Sequence, residues 1–179
     1  CYPHLQKGEG QFMAYFRKPA GEAPALISKK RPPISPNALK LLAALAPYVT
    51  LDKARIFEDD KHRLWLTPAG CISLPSRGIT MPGVQILDPA SKPDRPVPHH
   101  QLFKAGYKYF GAALDISAHP EMAAAYIKGL ELDLSNLPHG QIPNKAYVPV
   151  MYRGFCLGGG RTDRDRLKNL YPKGLRESC

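Results

Sequence analysis

The spacing of prolines limits most strongly what this chain can fold into. Of its 19 prolines, five lie between residues 19 and 36 and four between residues 89 and 98. A proline inside a helix removes a backbone hydrogen bond and clashes with the preceding turn, and inside a central strand it interrupts the ladder. We therefore predict short helices and strands joined by stiff connections, with chain divisions at 19–36 and 89–98.

Between these two proline-rich stretches the pattern predicts a helix followed by small β elements. Ser35 suits an N-cap and Pro36 suits the first helical position, so the helix begins there and ends before Pro47. Short apolar runs at 55–57 and 64–66 flank a polar turn, which is typical of a hairpin. Residues 71–88 alternate β-rich runs with proline and glycine, so we expect strands and tight turns there.

The residue pattern in the second half of the chain predicts helices alternating with strands. Gly129 suits the left-handed position that follows the C-terminus of the second of these helices. Such elements within about 80 residues indicate a small α+β or β-barrel domain. In chain order they are a helix at 99–109, a strand at 114–116, a helix from Pro120 to Lys128, and a hairpin pairing 147–152 with 155–157, after which come three glycines, 158–160.

Positive charge is concentrated at the two ends of the sequence. The formal net charge is +10, with six Lys/Arg against two acidic residues in 1–36 and eight against three in the last 39 residues. The middle carries eleven against ten. Basic segments around a near-neutral core favour a polyanionic partner, because neutralised phosphates release counterions. A general solubility charge is the alternative interpretation.

Four cysteines stand far apart and form no Cys-x-x-Cys motif; they are Cys1, Cys71, Cys156 and Cys179. This spacing favours thiols in a reducing cytoplasm over a disulfide framework. Buried cysteines acting as small apolar residues explain the pattern more simply than a metal site does, although a small metal-dependent enzyme using Cys and His stays an alternative. No run of 18 apolar residues is present, so no membrane span is predicted.

Two segments resemble a known family of RNA-modifying enzymes. Tyr-Pro-His at 2–4, followed by Gly-Glu-Gly-Gln-Phe-Met-Ala at 8–14, resembles the last strand of the methyltransferase domain in the Nop/Sun family. Leu-Lys-Asn-Leu-Tyr-Pro-Lys-Gly-Leu-Arg at 167–176 is similar to the terminal signature of the RsmF-like branch. Weaker matches at 97–102, 125–129 and 157–161 fall in the expected order between them. The resemblance therefore covers nearly the whole chain.

The resemblance implies the C-terminal region of an RNA cytosine-5 methyltransferase. The parent enzyme would transfer a methyl group from S-adenosylmethionine to cytosine C5, using a pair of cysteines that lie upstream. None of the four cysteines here follows a proline, as the family's catalytic pair does. We therefore expect no catalytic, cofactor-binding or metal-binding residue in this chain, and S-adenosylmethionine only in the parent protein.

The resemblance and the proline boundaries together predict four segments. Residues 1–18 would be the last strand of the methyltransferase domain and 19–36 a linker. Residues 37–98 would form a first C-terminal domain, and 99–179 a PUA-like RNA-binding domain. The predicted fold is thus α+β: two small modules after a remnant strand, the second a PUA-like β-barrel with flanking helices.

The predicted function is RNA binding that positions ribosomal RNA for the upstream methyltransferase domain of the same polypeptide. A monomeric, cytoplasmic protein without membrane contact is expected. An autonomous RNA-binding adaptor is the first alternative. Tyr171 could instead pack against the barrel and Asn169 could cap a turn, while the basic residues could simply solvate the terminus. The predicted RNA-binding residues are Lys128, Arg161, Lys168, Asn169, Tyr171, Lys173 and Arg176.

Overall fold

The computed structural model describes residues 33–67, 83–137 and 142–176. Within these ranges three α-helices lie against two β-sheets, one of three strands and one of five. The predicted strand at 1–18, nearly all of the predicted linker, and the strands and turns expected through residue 82 lie outside the described residues. No helix in the described ranges has both the length and the apolar character needed to span a bilayer.

The first helix, Pro36–Leu45 (α1), begins and ends where the sequence predicts. The Ser35 Oγ accepts a hydrogen bond from the Ala38 backbone N–H at 3.2 Å, which satisfies one of the free donors of the first turn. The Ser35 backbone N–H and hydroxyl also donate to the Glu58 carboxylate at 2.7 and 2.9 Å. The cap therefore ties the start of α1 to the neighbouring sheet.

That neighbouring sheet is antiparallel and contains the predicted hairpin. Its strands are Ile56–Glu58 (β1), Leu64–Leu66 (β2) and Val84–Gln85 (β3), in the order β1-β2-β3. Phe57 lies opposite Trp65 in the register. The Trp65 ring is buried in the core.

The second sheet has five strands in the order β4-β6-β7-β8-β5 and curls into a half-barrel. Strand β4 runs parallel to β6, and all other pairs are antiparallel. This sheet contains the predicted strand near residue 114 and the predicted hairpin. The strands are Leu114–Asp115 (β4), Leu132–Asp133 (β5), Tyr147–Tyr152 (β6), Phe155–Asp163 (β7) and Arg166–Asn169 (β8).

The glycine run 158–160 lies inside β7, whereas the sequence placed it after the hairpin. A Cβ built on Gly159 would overlap the Phe103 ring on one face, and one on Gly160 would lie 2.5 Å from Leu167 on the other. Neighbouring side chains thus occupy the space that side chains of β7 would need. The glycines continue the strand because both faces are closely packed, so their bare backbone serves internal packing.

Two helices cover opposite faces of the five-stranded sheet. Helix α3 (Pro120–Ile127) places the buried Tyr126 over β7, where its hydroxyl donates to the Gly159 carbonyl at 2.8 Å. Gly129 follows α3 with φ +84°, which confirms the predicted left-handed cap. Helix α2 (His100–Gly106) packs Phe103 on the other face.

The predicted boundary at residue 98 falls within a shared apolar core. One buried cluster contains Leu45 and Ile86 from the first segment together with Leu102, Phe103 and Tyr147 from the second. A second cluster lies between α3 and the five-stranded sheet. The division into residues 37–98 and 99–179 stays a prediction.

Candidate RNA-binding surface

Three residues lie in register across β6, β7 and β8, and two of them are positively charged. Tyr147 lies opposite Arg161, and Arg161 lies opposite Lys168. The Arg161 guanidinium lies 5.6 Å from the centre of the Tyr147 ring, and its Nε donates to the Lys145 carbonyl at 3.4 Å. The structure therefore brings two of the predicted RNA-binding residues together and holds one of them against an aromatic ring.

Arg161 and Lys168 border a groove of about 320 Å³, called the basic groove below. Four cationic residues and two carboxylates line it, with Thr162 between them, so the lining carries a net positive charge. A wider depression of about 540 Å³ shares part of this lining and adds Arg164 and Asp165. The charged residues of the basic groove are Lys145, Arg161, Arg166 and Lys168, with Glu131 and Asp163.

The segment before β6 is fastened to the end of β7, and this places Lys145 in the groove. The Thr162 hydroxyl accepts from the Ala146 backbone N–H at 2.9 Å and donates to the Pro143 carbonyl at 2.7 Å. The Asn144 side-chain oxygen accepts from the Arg164 backbone N–H at 2.9 Å. Lys145 itself adopts φ +61°, as a residue in a tight turn does.

Sequence reasoning missed Lys145 and Arg166. Arg166 had a signal: it stands two residues before Lys168 with the buried Leu167 between them, which is the alternation of a half-buried strand. No local sequence signal marks Lys145, because its position depends on hydrogen bonds to residues about 16 positions further along the chain.

A second group of predicted residues lies at the C-terminal end of α3. Lys128 is exposed there, and the Arg176 side chain lies against Gly129. The Arg176 Nε and a terminal guanidinium nitrogen donate to the Tyr171 carbonyl at 3.3 and 3.1 Å. Lys173 is exposed in the 3₁₀ turn Lys173–Leu175. Of these three cations, Arg176 has a packing role as well as a charge.

Asn169 and Tyr171 make the contacts expected from the alternative to RNA binding, in which Asn169 caps a turn and Tyr171 packs against the barrel. Asn169 is 9% exposed, and its amide donates to the carbonyls of Tyr126 and Leu130 at 2.7 and 2.8 Å. Its side-chain oxygen accepts from the Tyr171 backbone N–H at 2.7 Å. The Tyr171 ring packs edge-on against the rings of His100 and Tyr126, at centroid distances of 5.5 and 5.6 Å. The geometry therefore supports turn capping by Asn169 and packing by Tyr171.

The chemistry of the described residues gives no support to the metal-enzyme alternative. In residues 33–67, 83–137 and 142–176, no three His, Cys, Asp or Glu side chains lie together as a metal site requires. Cys156 is buried, its thiol donates to the Phe103 carbonyl at 3.2 Å, and burial raises its pKa. A thiol in such surroundings is a poor nucleophile, because the thiolate is the reactive form.

The comparison with protein families matches residues 113–177 to the model described as the Methyltransferase RsmF PUA domain. The matched range contains all five strands of the curled sheet, helix α3 and every residue of the basic groove. The predicted PUA-like barrel is thereby confirmed. The search of curated proteins gives no match.

Proposed function

We propose that the basic groove binds RNA phosphates. The match of residues 113–177 to the RsmF PUA domain model confirms the predicted C-terminal region of an RsmF-like enzyme. In this proposal the chain positions RNA for an upstream methyltransferase domain of the same polypeptide. The RNA is single-stranded where it meets the groove, since exposed bases are needed for sequence choice.

The observation that carries the proposal is the composition of the basic groove. Lys and Arg contact phosphate oxygens and fix the register of a nucleic acid, and four of them converge on one concave surface. Arg161 is already held against Tyr147, so less side-chain freedom is lost when it binds a phosphate. The two carboxylates, Glu131 and Asp163, leave the lining with more positive than negative groups.

The rest of the proposal concerns the parent enzyme. S-adenosylmethionine, bound by the upstream domain, would supply the methyl group for cytosine C5 of ribosomal RNA. The catalytic cysteines would also lie upstream, in keeping with the burial and raised pKa of Cys156. We also propose that the parent enzyme is monomeric and acts in the cytoplasm.

An NMR titration tests where RNA binds. The full isotope-labelled chain is titrated with a short single-stranded oligouridylate. We expect the backbone amide signals of the basic groove to shift in proportion to bound RNA, and those of Lys40 and Lys53 to stay in place. Shifts confined to the α1 and β1 region, with the groove unaffected, would contradict the proposal.

A further inference from the structure

Two carboxylates of the basic groove are not explained by phosphate binding. Glu131 and Asp163 line the groove together with its four cations. A carboxylate opposes the approach of a phosphate, because like charges repel. Asp163 also lines the wider depression next to the groove, so its position is the more central of the two. Phosphate contacts therefore give no reason for a carboxylate at position 163.

The strand register places Asp163 beside cations on one face of the β7–β8 hairpin. Asp163 lies opposite Arg166, and Arg161 lies opposite Lys168. Alternate residues of a strand point to the same side, so these four side chains share one face, about 7 Å apart along each strand. Leu167, between the two cations of β8, is fully buried on the other face. One nucleotide is large enough to reach both pairs.

Asp163 and Arg166 lie opposite each other without forming an ion pair. Within residues 33–67, 83–137 and 142–176, no hydrogen bond or ion pair engages either side chain. Both residues are exposed. Asp133 of β5, on the other side of Arg166, differs: its carboxylate accepts from the Ser135 N–H and hydroxyl at 3.0 and 2.7 Å. Asp163 therefore keeps both oxygens available to a ligand, next to the donors of Arg166.

A carboxylate beside a guanidinium matches the Watson–Crick edge of guanine. That edge presents two adjacent donors, N1–H and the N2 amino group, next to the O6 acceptor. The two oxygens of an aspartate can accept from both donors, and an arginine can donate to O6. Uracil carries a carbonyl oxygen on each side of its single N–H, and these oxygens would lie against the Asp163 carboxylate. Adenine and cytosine each offer only an amino group as donor.

The pair is therefore suited to select a base, whereas the other cations are suited to hold the backbone. Resting on the proposed function, we propose that Asp163 and Arg166 bind the Watson–Crick edge of a guanine in the RNA whose phosphates contact Lys145, Arg161 and Lys168. The bases of single-stranded RNA are exposed, so this edge is free to be read. Phosphate contacts fix the register, and the contact to the base supplies the sequence preference.

The test measures binding of three labelled probes to the full chain by fluorescence anisotropy. Each probe is a short oligouridylate whose central residue is uridine, guanosine or inosine, which is guanosine without the N2 amino group. The guanosine probe should bind about tenfold more tightly than the uridine probe, as expected for a two-bond contact to the correct base. The inosine probe should lose most of that gain, because one of the two donors is missing.

Two variants assign the preference to one side chain. Asp163→Asn should abolish the preference for guanosine and strengthen binding of the uridine probe, because a repulsive charge is removed. Asp165→Asn is the matched control: it removes the same charge two residues away, from the lining of the wider depression alone, and should keep the preference. Asp163 is exposed, so thermal unfolding of Asp163→Asn should resemble that of the wild type.

Three results would overturn the inference and leave phosphate binding at the groove intact. The first is equal affinity of the wild-type chain for the guanosine and uridine probes. The second is an inosine probe that binds as tightly as the guanosine probe. The third is a preference for guanosine that persists in Asp163→Asn. Failure of the wild-type chain to bind any of the three probes at low salt would overturn the proposed function itself.

Discussion

The carboxylate of Asp59 stabilises the β1–β2 hairpin. It accepts hydrogen bonds from the Trp65 indole N–H at 3.0 Å, from the Arg63 side chain at 2.7 Å, and from the backbone N–H groups of Lys61 and Arg63. Burial alone would raise the pKa of Asp59, but these donors stabilise the ionised form and the net pKa is lowered. The side chain therefore contributes to stability as an anion.

This contribution should depend on pH in a defined direction. Because the pKa is lower in the folded state, the stabilisation is complete above the ordinary value of 3.8 and is lost as the pH falls through the folded value. Asp59→Asn should reduce the free energy of unfolding by about 1–2 kcal/mol at neutral pH, since solvent screens this half-buried group. Urea denaturation should show that difference shrinking below about pH 4.

Asp60→Asn is the matched control, since this neighbouring residue is exposed. It should change the unfolding free energy by less than about 0.5 kcal/mol. A destabilisation by Asp59→Asn that is the same at neutral and acidic pH would contradict the role of the anion.

At the scale of elements, local sequence signals predicted the ends of helices and the positions of hairpins. Contacts with residues distant in the sequence determine how far β7 extends. Ser35 before Pro36, and Gly129 after α3, act within one turn of their own helix, so the sequence reveals them. The extension of β7 through three glycines depends on Phe103 and Tyr126, which lie more than 30 residues away along the chain. No local pattern contains that information.

The packing above Gly159 predicts the effect of a single methyl group. Gly159→Ala should destabilise the chain by about 1–3 kcal/mol, because the new Cβ overlaps the Phe103 ring. Thermal unfolding measures the change, and adding Phe103→Leu should recover part of it. Gly174→Ala, where no atom lies within 4 Å of the added Cβ, is the control and should leave the midpoint nearly unchanged. Equal midpoints for the two alanine variants would show that the β7 packing is looser than described.

At the scale of the whole molecule, the uneven charge of the sequence becomes a local feature of the fold. The excess of basic residues lies in the last 39 positions, and two of the predicted RNA-binding residues, Arg161 and Lys168, line the basic groove there. Their convergence with Lys145 and Arg166 depends on the order of the strands and on the bonds made by Thr162. Composition therefore predicts the kind of partner, and the fold brings together the residues of the proposed surface.

We propose that this surface, and not the total charge of +10, binds RNA. Its most direct test is the salt dependence of oligouridylate affinity for two variants of equal charge loss. One replaces the four basic-groove cations, Lys145, Arg161, Arg166 and Lys168, with alanine. The other does the same to four exposed lysines elsewhere, Lys40, Lys53, Lys61 and Lys92.

For single-stranded RNA the slope of log K against log salt is about −0.7 for each phosphate contacted. The groove variant should therefore flatten the slope by roughly two units, while the control variant should leave it close to that of the wild type. Circular dichroism of both variants should show the wild-type fold. Exposed charges usually contribute less than about 0.5 kcal/mol to stability, and only Arg161 among the replaced residues is half-buried. Equal flattening of the slope by the two variants would contradict the account and show that the positive charge acts only as a diffuse attraction.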